Sequence, residues 1–141
     1  MTELQTTAVK VLRRYYPEAL IITEESEEGL TRPCFQVICG EITLRKEMGR
    51  RYRKEETLLV SWYPPEGEEP QNEETSLQLL MQQLARGIKT EVQREKGKLQ
   101  ISVSMSQILF MDEEEAALMM QLLLGLRDQR REEGEDGDSN L

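Results

Sequence analysis

Apolar and polar residues at the start of the chain follow the period of an α-helix. One set of apolar side chains recurs at helical spacing: Leu4, Ala8, Val11, Leu12 and Tyr15. This spacing places them on one face of a helix. Thr2 and Gln5 have the spacing of a capping box before it, and Pro17 ends it. The pattern therefore predicts an amphipathic helix over residues 3–16.

Alternation of apolar and polar residues then predicts three strands. A short strand covers residues 20–23. A hairpin follows, with one arm from residue 34 to about 44 and a return arm over 57–63. Its turn is predicted near residues 46–51, because this segment contains Gly49 and lacks the alternation.

The second half of the chain is predicted to form another helix followed by another hairpin. A helix is predicted over about residues 75–87, followed by a strand that begins at Ile88. Lys96 and Gly97 supply a turn, after which apolar residues alternate over 99–105. The intervening positions are polar: Gln100, Ser102, Ser104 and Ser106. This last strand is therefore predicted to have one solvent-facing side.

The final segment changes from an apolar helix to a polar tail. Asp112 and Glu115 form a second capping-box pair, which predicts a helix over about residues 113–127. After Arg127 the chain consists almost entirely of Glu, Asp, Gly, Ser and Arg. Such a composition cannot bury enough apolar surface to offset the entropy of ordering. Residues 128–141 are therefore expected to be a disordered acidic tail.

The predicted element order, α-β-β-β-α-β-β-α, indicates one α+β domain over residues 1–127. It favours an antiparallel or mixed sheet of about five strands flanked by helices. A chain of 141 residues is long enough to bury a core without metal or disulfides. No apolar stretch approaches a membrane-spanning length and no signal peptide is apparent, so the expected setting is the cytoplasm without membrane contact.

Charge and residue types narrow the range of functions. The net charge is −9, which disfavours nucleic acid as a partner of the whole surface, though not of a local patch. No histidine and no glycine-rich phosphate loop is present. Cys34 and Cys39 are an odd number of positions apart in a predicted strand, so they should be unbridged, buried thiols. We expect no catalytic residue, no metal site, no cofactor and no enzymatic activity.

The last helix is unusually apolar around its circumference. Its core is the run Ala116-Ala117-Leu118-Met119-Met120-Gln121-Leu122-Leu123-Leu124-Gly125-Leu126. This apolar surface is wider than the stripe that a surface helix needs. Two readings are equally favoured: burial inside the chain's own core, or completion of burial on a neighbouring subunit. In the second reading Met120 and Leu124 are subunit-contact residues.

The segment over residues 45–54 is basic in an otherwise acidic protein. It contains one acid, Glu47, and six cations: Arg45, Lys46, Arg50, Arg51, Arg53 and Lys54. The simplest interpretation is a solvated hairpin tip that protects against edge pairing. The alternative is a contact with an acidic surface of a subunit or partner, or with nucleic acid phosphates.

Three segments together resemble a family of tail terminator proteins from phages and prophages of Gram-positive bacteria. They are Gly29-Leu30-Thr31-Arg32-Pro33-Cys34-Phe35, then Lys46-Glu47-Met48-Gly49-Arg50-Arg51-Tyr52-Arg53, then Trp62-Tyr63-Pro64. The resemblance covers about residues 15–65; beyond it, length and element order agree.

The resemblance implies a structural protein without catalytic residues. Such a protein forms a ring, usually a hexamer, on the last ring of the tail tube. It stops tube polymerisation and offers the surface that joins the head connector, or the sheath in a headless tail-like particle. DNA would be met only in passage, and the protein would be assembled in the bacterial cytoplasm into a virion or tail-like particle. The rival interpretation is a small host α+β module that binds nucleic acid through the basic hairpin.

Overall fold

The computed structural model describes residues 2–25 and 30–125. Its elements are helix α1 (Glu3–Tyr15), strands β1 (Leu20–Ile22), β2 (Cys34–Met48) and β3 (Arg51–Tyr63), helix α2 (Glu73–Gln82), strands β4 (Ile88–Glu95) and β5 (Lys98–Phe110), and helix α3 (residues 113–125). The predicted α+β class and element order are confirmed. The predicted acidic tail, 128–141, lies outside the described residues.

Helix α1 begins where the sequence predicts, with a variation at its cap. The side chain of Thr2 accepts a hydrogen bond from the backbone N–H of Gln5, at 3.2 Å. The Gln5 side chain does not return this bond. Its Nε2 donates to the carbonyl oxygen of Val37 at 2.8 Å, and its Oε1 accepts from Cys39 Sγ at 3.1 Å. The predicted capping box is therefore half formed, because the buried Gln5 amide joins α1 to β2.

The five strands form one mixed sheet in the order β1-β2-β3-β5-β4. Strand β1 pairs parallel with β2, with Leu20 opposite Cys34. Strands β4 and β5 form an antiparallel hairpin around the predicted turn at Lys96 and Gly97. Helix α2 ends at Gln82, before the predicted residue 87, and the chain reaches β4 through Gly87, whose φ is +76°.

The first of two compact units comprises the described residues up to Gly40 together with residues 57–105. Side chains of α1 and α2 pack there against one face of β2, β3 and β5. The buried core residues are Leu4, Ala8, Val9, Leu12, Phe35, Val37, Leu58, Val60, Trp62, Leu77, Leu80, Met81, Leu99, Ile101 and Val103. Tyr16 and Phe35 extend this core as an aromatic contact, with ring centroids 5.0 Å apart. This unit has the dense interior of a folded domain.

The second unit comprises residues 41–56 and, among the described residues, 106–125. It holds the distal parts of β2, β3 and β5 together with α3. Its buried apolar cluster consists of Tyr52, Met111 and Ala116. Leu44, Leu109 and Met119 pack against these three while remaining partly exposed. The expectation that residues 1–127 form a single α+β domain stays a prediction.

Candidate assembly surfaces

The basic segment folds as the paired ends of two strands. Strand β2 continues to Met48 and β3 begins at Arg51, so the turn is confined to Gly49 and Arg50. It is therefore shorter than the predicted turn over residues 46–51. Gly49 has a φ of +58°, which a residue without a Cβ adopts readily.

Strand alternation divides the basic residues between two faces of the hairpin. Leu44 and Tyr52 pack in the cluster that contains Ala116 of α3. Successive side chains on a strand point to opposite faces, so Arg51 and Arg53 lie on the face opposite Tyr52. The contacts agree, because both of these arginines reach the carboxylate of Glu47.

Three of the hairpin's six cations form salt bridges within the same unit. The Nε of Arg53 lies 3.2 Å from Glu47 Oε1, and its Nη1 donates to Ser106 Oγ at 2.8 Å. Arg51 Nε lies 3.5 Å from the same Glu47 oxygen. On the other face, Lys46 Nζ lies 3.8 Å from Glu113 Oε1 at the start of α3. Surface pairs of this kind contribute at most about 1 kcal/mol each, but they neutralise the local charge.

Asp112 caps α3 and adds a further negative charge near the turn. Its pKa is held below the ordinary value mainly because its carboxylate accepts a hydrogen bond from the backbone N–H of Glu115, at 2.8 Å. The positive charge of Arg50 makes a smaller contribution in the same direction. The backbone oxygen of Arg50 also accepts from the N–H of Met111 at 2.9 Å, which closes the strand pairing beside the turn.

The six predicted contact cations therefore do not form one unpaired basic patch. Lys46, Arg51 and Arg53 form salt bridges, and Arg50 interacts electrostatically with Asp112. Within residues 2–25 and 30–125, Arg45 and Lys54 form no salt bridge. Arg51 and Arg53 pair with Glu47 inside the segment, whereas the carboxylates near Lys46 and Arg50, those of Glu113 and Asp112, come from a distant part of the chain.

Helix α3 turns a small part of its surface inward and most of it outward. Ala116 is buried and Met119 packs beside it. The predicted contact residues Met120 and Leu124 are both exposed. Leu118 and Leu122 are also exposed, on the other side of the helix. These four residues, between 46% and 69% exposed, make up what we call the α3 apolar surface. A single chain therefore leaves most of this helix's apolar surface in water.

Two further apolar residues of the second unit were missed by the sequence analysis. Phe110 at the end of β5 and Met48 at the end of β2 are both highly exposed. The available signal was the run Ile108-Leu109-Phe110-Met111, which continues the strand beyond the predicted residue 105.

The two cysteines of the first unit lie within its packed structure. Cys34 and Cys39 are unbridged, as predicted; Cys34 is fully buried and Cys39 only partly so. Burial raises the pKa of the Cys34 thiol above its ordinary value, an effect that the charge of Arg32 partly opposes. A raised pKa keeps this thiol protonated and unreactive.

An open groove of about 820 Å³ lies on the first unit beside Tyr16. Glu68, Glu69 and Glu73 are among its lining residues. The pKa of Tyr16 is raised by partial burial and, to a smaller extent, by the charge of Glu73. Across the described part of the chain, no cluster of three or more Cys, Asp or Glu side chains has the geometry to hold a metal ion. No helix there is both long and apolar enough to span a bilayer.

Comparison with protein families identifies a match. Residues 3–116 match the family described as phage tail terminator protein, a range that includes nearly all of the first unit, the basic hairpin and the start of α3. A search of curated proteins finds no match to this chain. The match spans far more than half of the 141 residues and includes the basic hairpin. The chain therefore belongs to the phage tail terminator family, a family of structural tail proteins.

Proposed function

We propose that this protein assembles into a ring on the end of the phage tail tube, stops its polymerisation and offers the surface that joins the head-side connector. In a headless tail-like particle the second surface would meet the sheath. The ring is expected to be a hexamer that DNA crosses only in passage. Family membership over residues 3–116 supports the role as a tail terminator.

The main observation that supports the ring is the exposed α3 apolar surface. A soluble chain that remained alone would leave Leu118, Met120, Leu122 and Leu124 in contact with water. Burying apolar area stabilises an interface by roughly 25 cal/mol per Å² before the cost of association. We therefore assign α3, with Met120 and Leu124, to the contact between subunits.

The basic hairpin is proposed as a second docking element that contributes less to assembly than α3. Arg45 and Lys54 are the cations best placed to meet a partner, since they form no salt bridge within the described residues. The salt-bridged residues Lys46, Arg51 and Arg53 would have to exchange their present carboxylates for those of a partner. In a ring this hairpin is repeated in every subunit, so modest contacts add by multivalency.

The ring is tested by light scattering and electron microscopy of the protein alone and with tail tubes. We expect a defined ring that binds tube ends, and a monomeric, folded product from Met120→Glu or Leu124→Glu. The matched control is Leu79→Glu, which places the same charge on an exposed leucine of α2. The control should assemble normally.

Two results would contradict this proposal. One is a wild-type protein that neither assembles nor binds tube ends. The other is normal assembly of both helix variants. If Arg45→Glu combined with Lys54→Glu leaves tube-end binding unchanged, the hairpin is excluded as a docking element. Metal-dependent turnover lost on a single carboxylate substitution would overturn the prediction that the protein is not an enzyme.

A further inference from the structure

A second exposed apolar surface lies at the corner between α1 and β1. Tyr15, in the last turn of α1, is 55% exposed, and Leu20, at the start of β1, is 50% exposed. Only four residues connect the helix to the strand, so both side chains belong to one corner of the first unit. Strand β1 is also an edge of the sheet, and sheet edges favour being covered.

The corner carries unpaired positive charge. Lys10, Arg13 and Arg14 are exposed on α1, and none of them forms a salt bridge within the described residues. The guanidinium of Arg14 lies 5.9 Å from the ring centroid of Tyr15, which places a cation directly beside the apolar side chain. One carboxylate, Glu18, lies in the connection. The corner is therefore apolar with a basic border.

One side of the α3 apolar surface has the complementary character. Glu114, Leu118 and Leu122 follow one another at intervals of four residues, so they share one side of the helix. This side is opposite the buried Ala116. It therefore presents a carboxylate in the first turn, followed by two exposed leucines. The surface is apolar with an acidic border.

We infer that α3 of one copy packs on the α1–β1 corner of the next copy. The leucines of α3 would cover Tyr15 and Leu20, while Glu114 would meet Arg13 or Arg14. Apolar surface matches apolar surface, and the bordering charges have opposite signs. Every copy carries both surfaces, so the partner that satisfies them is a second copy of this chain.

This contact has a consequence for symmetry. It joins two different surfaces, so it is heterologous and can continue from copy to copy until a ring closes. A contact of α3 with α3 would instead join identical surfaces and stop at a dimer. The inference deepens the proposed ring and rests on it, because it specifies which two surfaces of the chain meet.

The test uses two variants that each remove one surface. Leu122→Glu removes the helix side and leaves the corner intact, whereas Leu20→Glu removes the corner and leaves the helix intact. We expect each variant alone to be a folded monomer. Mixed in equal amounts, they should give a heterodimer of twice the 16.4 kDa of a single chain, because one functional contact remains and cannot propagate.

Two outcomes separate this inference from the proposed function. If wild type forms rings and folded Leu20→Glu forms them equally well, the corner is not the partner surface, although the ring stands. A mixture of the two folded variants that stays monomeric also overturns the inference. Wild type that does not assemble with itself or on tubes overturns the proposed function as well.

A pair of charge variants keeps the test independent of the fold of β1. Arg14→Glu alters only an exposed side chain of α1, and Glu114→Arg one of α3. Each is expected to weaken assembly at low salt by several-fold, and the double variant should recover part of the loss. Absence of both effects would show that these charges do not meet.

Discussion

The two compact units differ in how completely each buries its own apolar residues. The first unit encloses a cluster of fifteen buried side chains between two helices and the sheet. Among the described residues, the second has three buried apolar residues, Tyr52, Met111 and Ala116, yet it exposes twice as many large apolar side chains on α3 and at the ends of β2 and β5. The first unit buries most of its large apolar side chains within the chain. The second unit is also rich in large apolar side chains, but most of them stay exposed.

This difference indicates separate roles for the two parts of the sequence. A closed core provides stability that does not depend on partners. A surface that keeps its apolar side chains exposed gains its stabilisation when another chain covers it. We therefore expect the first unit to determine whether the protein folds, and the second to determine whether it assembles.

The largest contrast should come from truncating one buried and one exposed aliphatic side chain. Ile101→Ala removes a fully buried residue of the first unit, which should cost about 2–5 kcal/mol of unfolding free energy. Leu122→Ala removes an exposed side chain and should change the monomer by no more than about 0.5 kcal/mol. Urea denaturation of monomeric protein measures both. Equal losses would show that α3 is part of the core.

A smaller contrast is expected from adding one methyl group to each unit. A Cβ at Gly40 would overlap Thr57 Oγ1, so Gly40→Ala should destabilise the first unit by about 1–3 kcal/mol. A Cβ at Gly125 on α3 would meet no atom within 4 Å, so Gly125→Ala should not destabilise. Thermal denaturation compares them. Adding Thr57→Ala to Gly40→Ala should recover part of the loss, and failure to do so would place the strain elsewhere.

The smallest effect concerns the two helix caps and their dependence on pH. Asp112 has a lowered pKa in the fold, so its contribution is present above the unfolded-state pKa and is lost as the pH falls through the folded-state pKa. The protection of α3 amides against hydrogen exchange, corrected for the intrinsic rate at each pH, should therefore fall in acid. Asp112→Ala should remove this dependence at the cap.

The cap of α1 offers the comparison, because Thr2 has no charge to titrate. Thr2→Ala should therefore cost about 1 kcal/mol in α1 at any pH. An acid-insensitive α3 would contradict this account.

Much of this fold could be predicted because the alternation of residue types is strong. Both hairpins, the helix caps and the apolar α3 follow from local patterns. The strand ends at Met48 and Arg51 could not be predicted from local patterns, because charged residues interrupt the alternation of apolar and polar positions. These parts of the strands depend on the packing of Leu44 and Tyr52. The exposure of Met120 and Leu124 could not be predicted, because it depends on which side of α3 packs against Tyr52 and Met111. The partner of Lys46 could not be foreseen, because Glu113 approaches it only through the tertiary fold.

The buried amide of Gln5 has a consequence for how relatives of this protein can diverge. Its nitrogen donates to a backbone oxygen that every residue at position 37 provides, while its oxygen accepts from the thiol of Cys39. Glutamate at position 5 would lose the donor, and leucine would leave the Val37 carbonyl without this partner. Substitution at position 39 would in turn remove the second bond. Positions 5 and 39 are therefore expected to change together among relatives, which would appear as covariation between α1 and β2.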